Sequence, residues 1–167
     1  MGVLDILTYP DERLRQVSAP VEQFDAALQA HIDDLEVTRR TGPGAVGIAA
    51  PQVGWFERVV IVDVSGREKT RSHGYLILVN PEITEWEGFA LGREGCLSVP
   101  DYTGNVVRAE RIHLRALDRT GNEISFDTEG FEARAIQHEM DHLDGLLFLD
   151  RLVSRRQDLF QRKVYKD

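Results

Sequence analysis

Residues 131–148, FEARAIQHEMDHLDGLLF, place Phe131, Ala135, Met140, His142 and Leu143 at helical spacings. The pattern reads as a largely buried helix rather than a strand. No other feature limits the fold as tightly, because the remaining chain has to enclose a helix that carries two histidines and a glutamate inward, and buried polar groups need partners. Residues 25–40, DAALQAHIDDLEVTRR, supply the second amphipathic pattern, with Ala27, Leu28, His31, Ile32 and Leu35 three and four apart. TGPG at 41–44 ends it and turns the chain into GAVGIAAPQVG, expected as a backbone-exposed loop or irregular edge.

Between the two helices lie short β-type runs: RVVIVDV (58–64), YLILVNPEI (75–83), VVRAERIHLRALD (106–118) and, after Thr120-Gly121-Asn122, EISFDTEG. Strands bracketed by helices without a β-α-β rhythm indicate an α+β fold, mostly antiparallel strands around a central helix. At 167 residues the chain is expected to form a single domain over 1–167, with a basic, helical tail at 154–167. A composition 42% hydrophobic and 29% charged excludes a disordered or fibrous chain, and a net charge of -8 disfavours a broad nucleic-acid surface. No apolar run is long enough to span a bilayer, and the first residues, MGVLDILTYPDERLRQ, lack the marks of a signal peptide. With Cys96 as the single cysteine, a cytoplasmic protein without membrane contact is expected.

The chemistry is concentrated at QHEMDHLDG (137–145), where His138, Glu139 and His142 read H-E-x-x-H. Helix positions four apart lie about 40° apart around the axis, so both histidines can reach one ion. Glu139 is then free to act as a general base toward water made acidic by that ion. Two familiar completions are missing: the position for a third histidine is Phe148, and no glutamate follows Glu139. The remaining ligand has to come from upstream. Cys96 in GREGCLSVPDY is the first candidate, against the alternative of a buried, inert thiol.

Three segments together resemble the peptide deformylase family: AVGIAAPQ (45–52), EGCLS (94–98) and QHEMDHLDG (137–145), in that order along the chain. The first departs from the family pattern at Ala45, where the family has glycine; the other two match throughout. The resemblance implies that Cys96, His138 and His142 bind one divalent metal ion, Fe2+ in the cell, with Zn2+, Ni2+ or Co2+ also able to occupy the site. It implies hydrolysis of the N-terminal formyl group from N-formylmethionyl nascent peptides, with release of formate. Glu139 is then the base, and the backbone N–H of Leu97 with the Gln52 side chain stabilises the oxyanion.

Val46, Gly47, Leu97, Arg134 and Ala135 are the substrate-binding candidates, through an apolar pocket and strand-like pairing. Glu94 and Arg108 are candidates for an ion pair holding the Cys96 loop, and Gln137 for orienting the site. Asp141 reads as a structural hydrogen-bonding residue, and His31, His73 and His113 as structural or surface groups. The tail at 154–167 holds five basic and two acidic residues, which reads first as a solvated helix end and alternatively as a contact for ribosomal RNA.

Overall fold

The structure is a computed structural model and describes residues 2–42, 45–67 and 72–162. Helix α1 spans Ala26–Thr41; the Asp25 side chain caps it by accepting from Leu28 N at 3.0 Å. The strands follow as β1 (Gly47–Ala49), β2 (Val59–Val62), β3 (Leu76–Cys96), β4 (Val99–Leu117) and β5 (Glu123–Glu129); helix α2 (Gly130–Leu143) and a last strand β6 (Leu159–Gln161) complete the order. All pairings between the six strands are antiparallel, in the order β1-β2-β3-β4-β5, with β6 on β4.

The run VVIV of β2 is buried throughout, because the sheet there is covered on both faces. Val60 and Val62 point into a core shared with Ala133, Ile136 and Leu143 of α2. Val59 and Ile61 point the other way, against Leu28, Ile32 and Leu35 of α1. The two-residue alternation of a strand thus assigns one core to each helix. A third cluster, Leu14, Cys96, Val99, Val106, Leu147, Phe148 and Leu149, closes the end of the sheet where β3 turns into β4. Helix α2 stops before Gly145, whose φ of 75° and close approach to the Arg15 carbonyl exclude a side chain.

Two expectations need correction. The sequence marks strands only at 75–83 and 106–118, whereas β3 and β4 run on as a long hairpin to a two-residue turn at Leu97-Ser98. Glutamates and glycines give residues 84–95 little β-propensity of their own; pairing with β4 imposes the extended form. The expected helix in 154–167 is also not what the described part of that segment forms. Residues 159–161 pair instead as β6 with Tyr102–Gly104, because β4 offers an unpaired edge there and Gly104 leaves space that Leu152 and Phe148 fill. Residues 163–167 lie outside the described residues.

Candidate metal centre and cleft

Helix α2 carries His138, Glu139 and His142 on its buried side, 7%, 5% and 1% exposed, so these groups face protein rather than water. Cys96 ends β3, where the turn at Leu97-Ser98 presents its thiol to the helix: Sγ lies 3.4 Å from His142 Nε2. The donor atoms of Cys96, His138 and His142 all fall within 4.8 Å of one another. One sulfur and two imidazole nitrogens, all buried, suit a divalent transition metal and leave a coordination position for a reacting molecule.

The orientation of His138 is set from behind. Its Nδ1 is 2.8 Å from Glu94 Oε1, which turns Nε2 toward Cys96 and His142. Glu94 in turn accepts two bonds from Arg108 (2.9 and 2.8 Å) and one from Arg134 (2.7 Å). Arg108 reaches on to Asp141 at 2.6 Å, and Arg151 holds the other side of that carboxylate. Burial by itself would raise the Glu94 carboxyl, but Arg108 and His138 overcome it and hold it well below the usual range. The Glu94–Arg108 pair is therefore the centre of a ladder that runs from the buried His138 to the half-exposed Arg151.

Glu139 is in the opposite situation. Its Oε1 has no hydrogen-bond partner among the described residues. Burial, opposed by the charges of His138 and Arg108, pushes its carboxyl up to about 7. Gly47 of β1 crosses directly over it: a Cβ there would stand 2.8 Å from Glu139 Oε2, so any other residue would strike the carboxylate. Ala45, the departure from the family pattern, lines the cleft and donates its backbone N to Gly42 O at 3.1 Å.

Gln52 sits in a single 3-10 turn, Ala50–Val53, just after β1, and is 1% exposed. Its Oε1 accepts from Ala49 N at 2.9 Å, which directs Nε2 to Ser98 Oγ (3.0 Å) and toward Cys96 Sγ (3.5 Å). The N-terminal segment ties the two loops together, since Leu7 N donates to Gln52 O and Tyr9 N to Ser98 O, each at 2.7 Å.

A cleft of about 500 Å³ opens over these groups. Val46, Gly47, Leu97, Arg134 and Ala135 all line it, together with Gln52, Cys96, His138 and Glu139. Phe131, Arg67, Arg93 and Arg162 line it too and had no signal in the sequence that set them apart. Gln137 does not touch the site. Its amide brackets Ala109 of β4, accepting from N and donating to O at 3.0 Å each, and so completes a stretch of β4 edge that neither β5 nor β6 pairs. His31 packs on Trp55, His73 on the buried Glu132, and His113 on Asp127, all away from the cleft.

Residues 3–158 match the family model described as polypeptide deformylase. The chain is 48% identical over 166 residues to a peptide deformylase of Alkalilimnicola ehrlichii, covering 99% of this chain and 91% of that protein. It is 43% identical over 163 residues to one of Thermodesulfovibrio yellowstonii, covering 98% and 97%. The crystal structure of a peptide deformylase from Legionella pneumophila superposes with a TM-score of 0.83 at 44% identity, over 90% of this chain and 86% of that one.

Proposed function

The chain belongs to the peptide deformylase family, metal-dependent hydrolases that remove the N-formyl group from nascent polypeptides, and on that premise we propose how its own residues divide the reaction. Cys96, His138 and His142 would hold a divalent ion, which would supply Lewis acidity to the formyl carbonyl and to the attacking water. Glu139 takes the proton from that water as its oxygen bonds to the formyl carbon, then delivers it to the amine as the C–N bond breaks; formate and a free N-terminus leave. The Gln52 Nε2–H and the Leu97 backbone N–H donate to the negative oxygen of the intermediate.

The observation that carries this assignment is the buried Oε1 of Glu139, without a hydrogen bond among the described residues, beside a three-donor group. A carboxylate in that state costs stability unless a further group meets it, and the cleft delivers one. Val46, Leu97, Ala135 and the stem of Arg134 form the methionine pocket. Gly47 offers main-chain groups on the free side of β1, an edge strand, to an extended peptide.

Family likeness supports Fe2+ as the ion in the cell, and a thiolate with two imidazoles also admits Zn2+, Ni2+ or Co2+. Among the described residues no helix is long and apolar enough to cross a membrane. We take the enzyme to act in the cytoplasm as one domain over 1–167, where its substrate emerges from the ribosome. The exposed Arg155 and Arg156 of the tail are its ribosome contact, tested by salt-sensitive co-sedimentation of Arg155→Gln/Arg156→Gln; unchanged binding removes that contact.

The reaction is tested by formate release from a formylmethionyl peptide with ferrous ion under low oxygen. Glu139→Gln is expected to retain metal and lose about a hundredfold or more in turnover. Cys96→Ser is expected to lose metal, because a neutral hydroxyl is a far poorer ligand than a thiolate. An emptied site in the first variant and an intact one in the second would reverse the roles.

A further inference from the structure

Three exposed arginines line the cleft: Arg67 beside Phe131 of α2, and Arg93 and Arg162 beside the last residues of β3. Each is placed without being neutralised. Arg67 lies over the Phe131 ring at 3.9 Å from its centroid, and Arg93 over the Phe160 ring of β6 at 3.7 Å. Aromatic faces hold a guanidinium by its π-cloud and leave its charge available. Arg162 follows β6, where its main-chain N donates to Asp101 O at 2.8 Å, and its terminal nitrogen stands 2.7 Å from the point a Gly95 Cβ would occupy. A glycine beside Cys96 thus makes the seat for an arginine of the tail.

Among the described residues none of the three forms an ion pair, and Arg93 donates to the neutral Asn105 and Thr103. The fourth arginine of the cleft, Arg134, is spent on Glu94. Of the two carboxylates lining the cleft, Glu94 is held by Arg108 and Arg134, and Glu139 lies under Gly47. On a protein of net charge -8, three uncompensated cations around one opening are a local reversal of sign.

We propose that Arg67, Arg93 and Arg162 select formylated chains whose first residues after methionine carry acidic side chains. This rests on the deformylase reading, which seats methionine at Val46 and Ala135 and leads the following residues outward. An extended chain advances about 3.3 Å per residue, so side chains one to three positions on lie within about 10 Å of the methionine, in reach of long arginines on the cleft walls. A peptide is favoured over RNA because the cations ring a cleft of about 500 Å³ that also holds the reacting groups, whereas a polynucleotide backbone tracks an open charged groove.

The test compares kcat/KM of the metal-loaded enzyme on formyl-Met-Glu-Glu-amide, formyl-Met-Gln-Gln-amide and formyl-Met-Lys-Lys-amide; amidation removes the terminal carboxylate. Exposed ion pairs each contribute a few-fold at most, so the acidic peptide is expected to lead the neutral one by about three- to tenfold, mainly through KM, with the basic peptide last. The ratio shrinks at about 0.5 M salt, where the screening length falls below about 5 Å. Arg67→Gln, Arg93→Gln and Arg162→Gln each narrow it, and the corresponding lysine variants keep most of it. Equal rates for acidic and neutral peptides, or a ratio unchanged in the triple glutamine variant, overturn the inference alone. Inhibition by a short single-stranded RNA without acidic preference overturns it too and reassigns the arginines to a polyanion. No formate from any of the three peptides overturns the deformylase reading itself, and the inference with it.

Discussion

Two stretches of β3 show opposite ways of holding a strand in place. Near Cys96 the strand is held by charged side chains: Glu94 binds Arg108, Arg134 and His138, and Glu94, Arg108, His138 and Asp141 are all buried. Near Trp86, Phe89 and Leu91 the same strand leaves large apolar side chains 62%, 69% and 65% exposed and depends chiefly on its backbone pairing with β4. The first arrangement concentrates interaction energy where donor positions must be kept to fractions of an ångström. The second only has to carry the chain to the turn. Precision at the metal end therefore comes from charged side chains that cannot be moved without leaving another buried charge unpaired.

Breaking the ladder tests this most severely. Arg108→Met removes the cation between Glu94 and Asp141 and is expected to cost about 3–5 kcal/mol, read as a shift in the denaturant midpoint of the metal-loaded protein. It should also weaken metal binding about ten- to a hundredfold, because Glu94 no longer fixes the His138 ring. A stability loss with unchanged metal affinity would separate the ladder from the site. Gln52→Ala comes next. It keeps the donors in place but removes the amide aimed beside Cys96, so about 2.7–4 kcal/mol of transition-state stabilisation is expected to go, seen in kcat with metal content unchanged. At the other end of the comparison, Leu91→Thr on the exposed face should move stability by less than about 0.5 kcal/mol and leave formate release unaltered. A larger loss would mean that the hairpin's outer face contributes to holding the site.

Both helices and the metal motif were legible in the sequence, because their signals are local. An amphipathic period marks a helix whatever surrounds it, and H-E-x-x-H positions its histidines by helix geometry alone. The strand run of β2 was legible for the same reason. The length of the β3–β4 hairpin was not: residues 84–95 are extended because β4 is there to pair with them. Likewise Leu159 and Phe160 join the sheet only because β4 has a free edge opposite them. Gln137, adjacent to His138, invites a role in the site, yet its side chain points at Ala109, since neighbours on a helix diverge by about 100°.

Residue types and spacings by themselves determined the helix that carries the site, the two histidines and the glutamate it presents, and, by resemblance, the thiol that joins them. The tertiary structure alone decided what those groups meet. It brought Cys96 to His142 across 46 positions, put Arg108 and Asp141 behind Glu94, laid Gly47 over Glu139, and folded Arg162 back against Gly95. The physical reason is range. Periodicity and capping act within a few residues, whereas burial, ion pairing and strand edges act on whatever the folded chain makes adjacent, and no local pattern in the sequence records that distance.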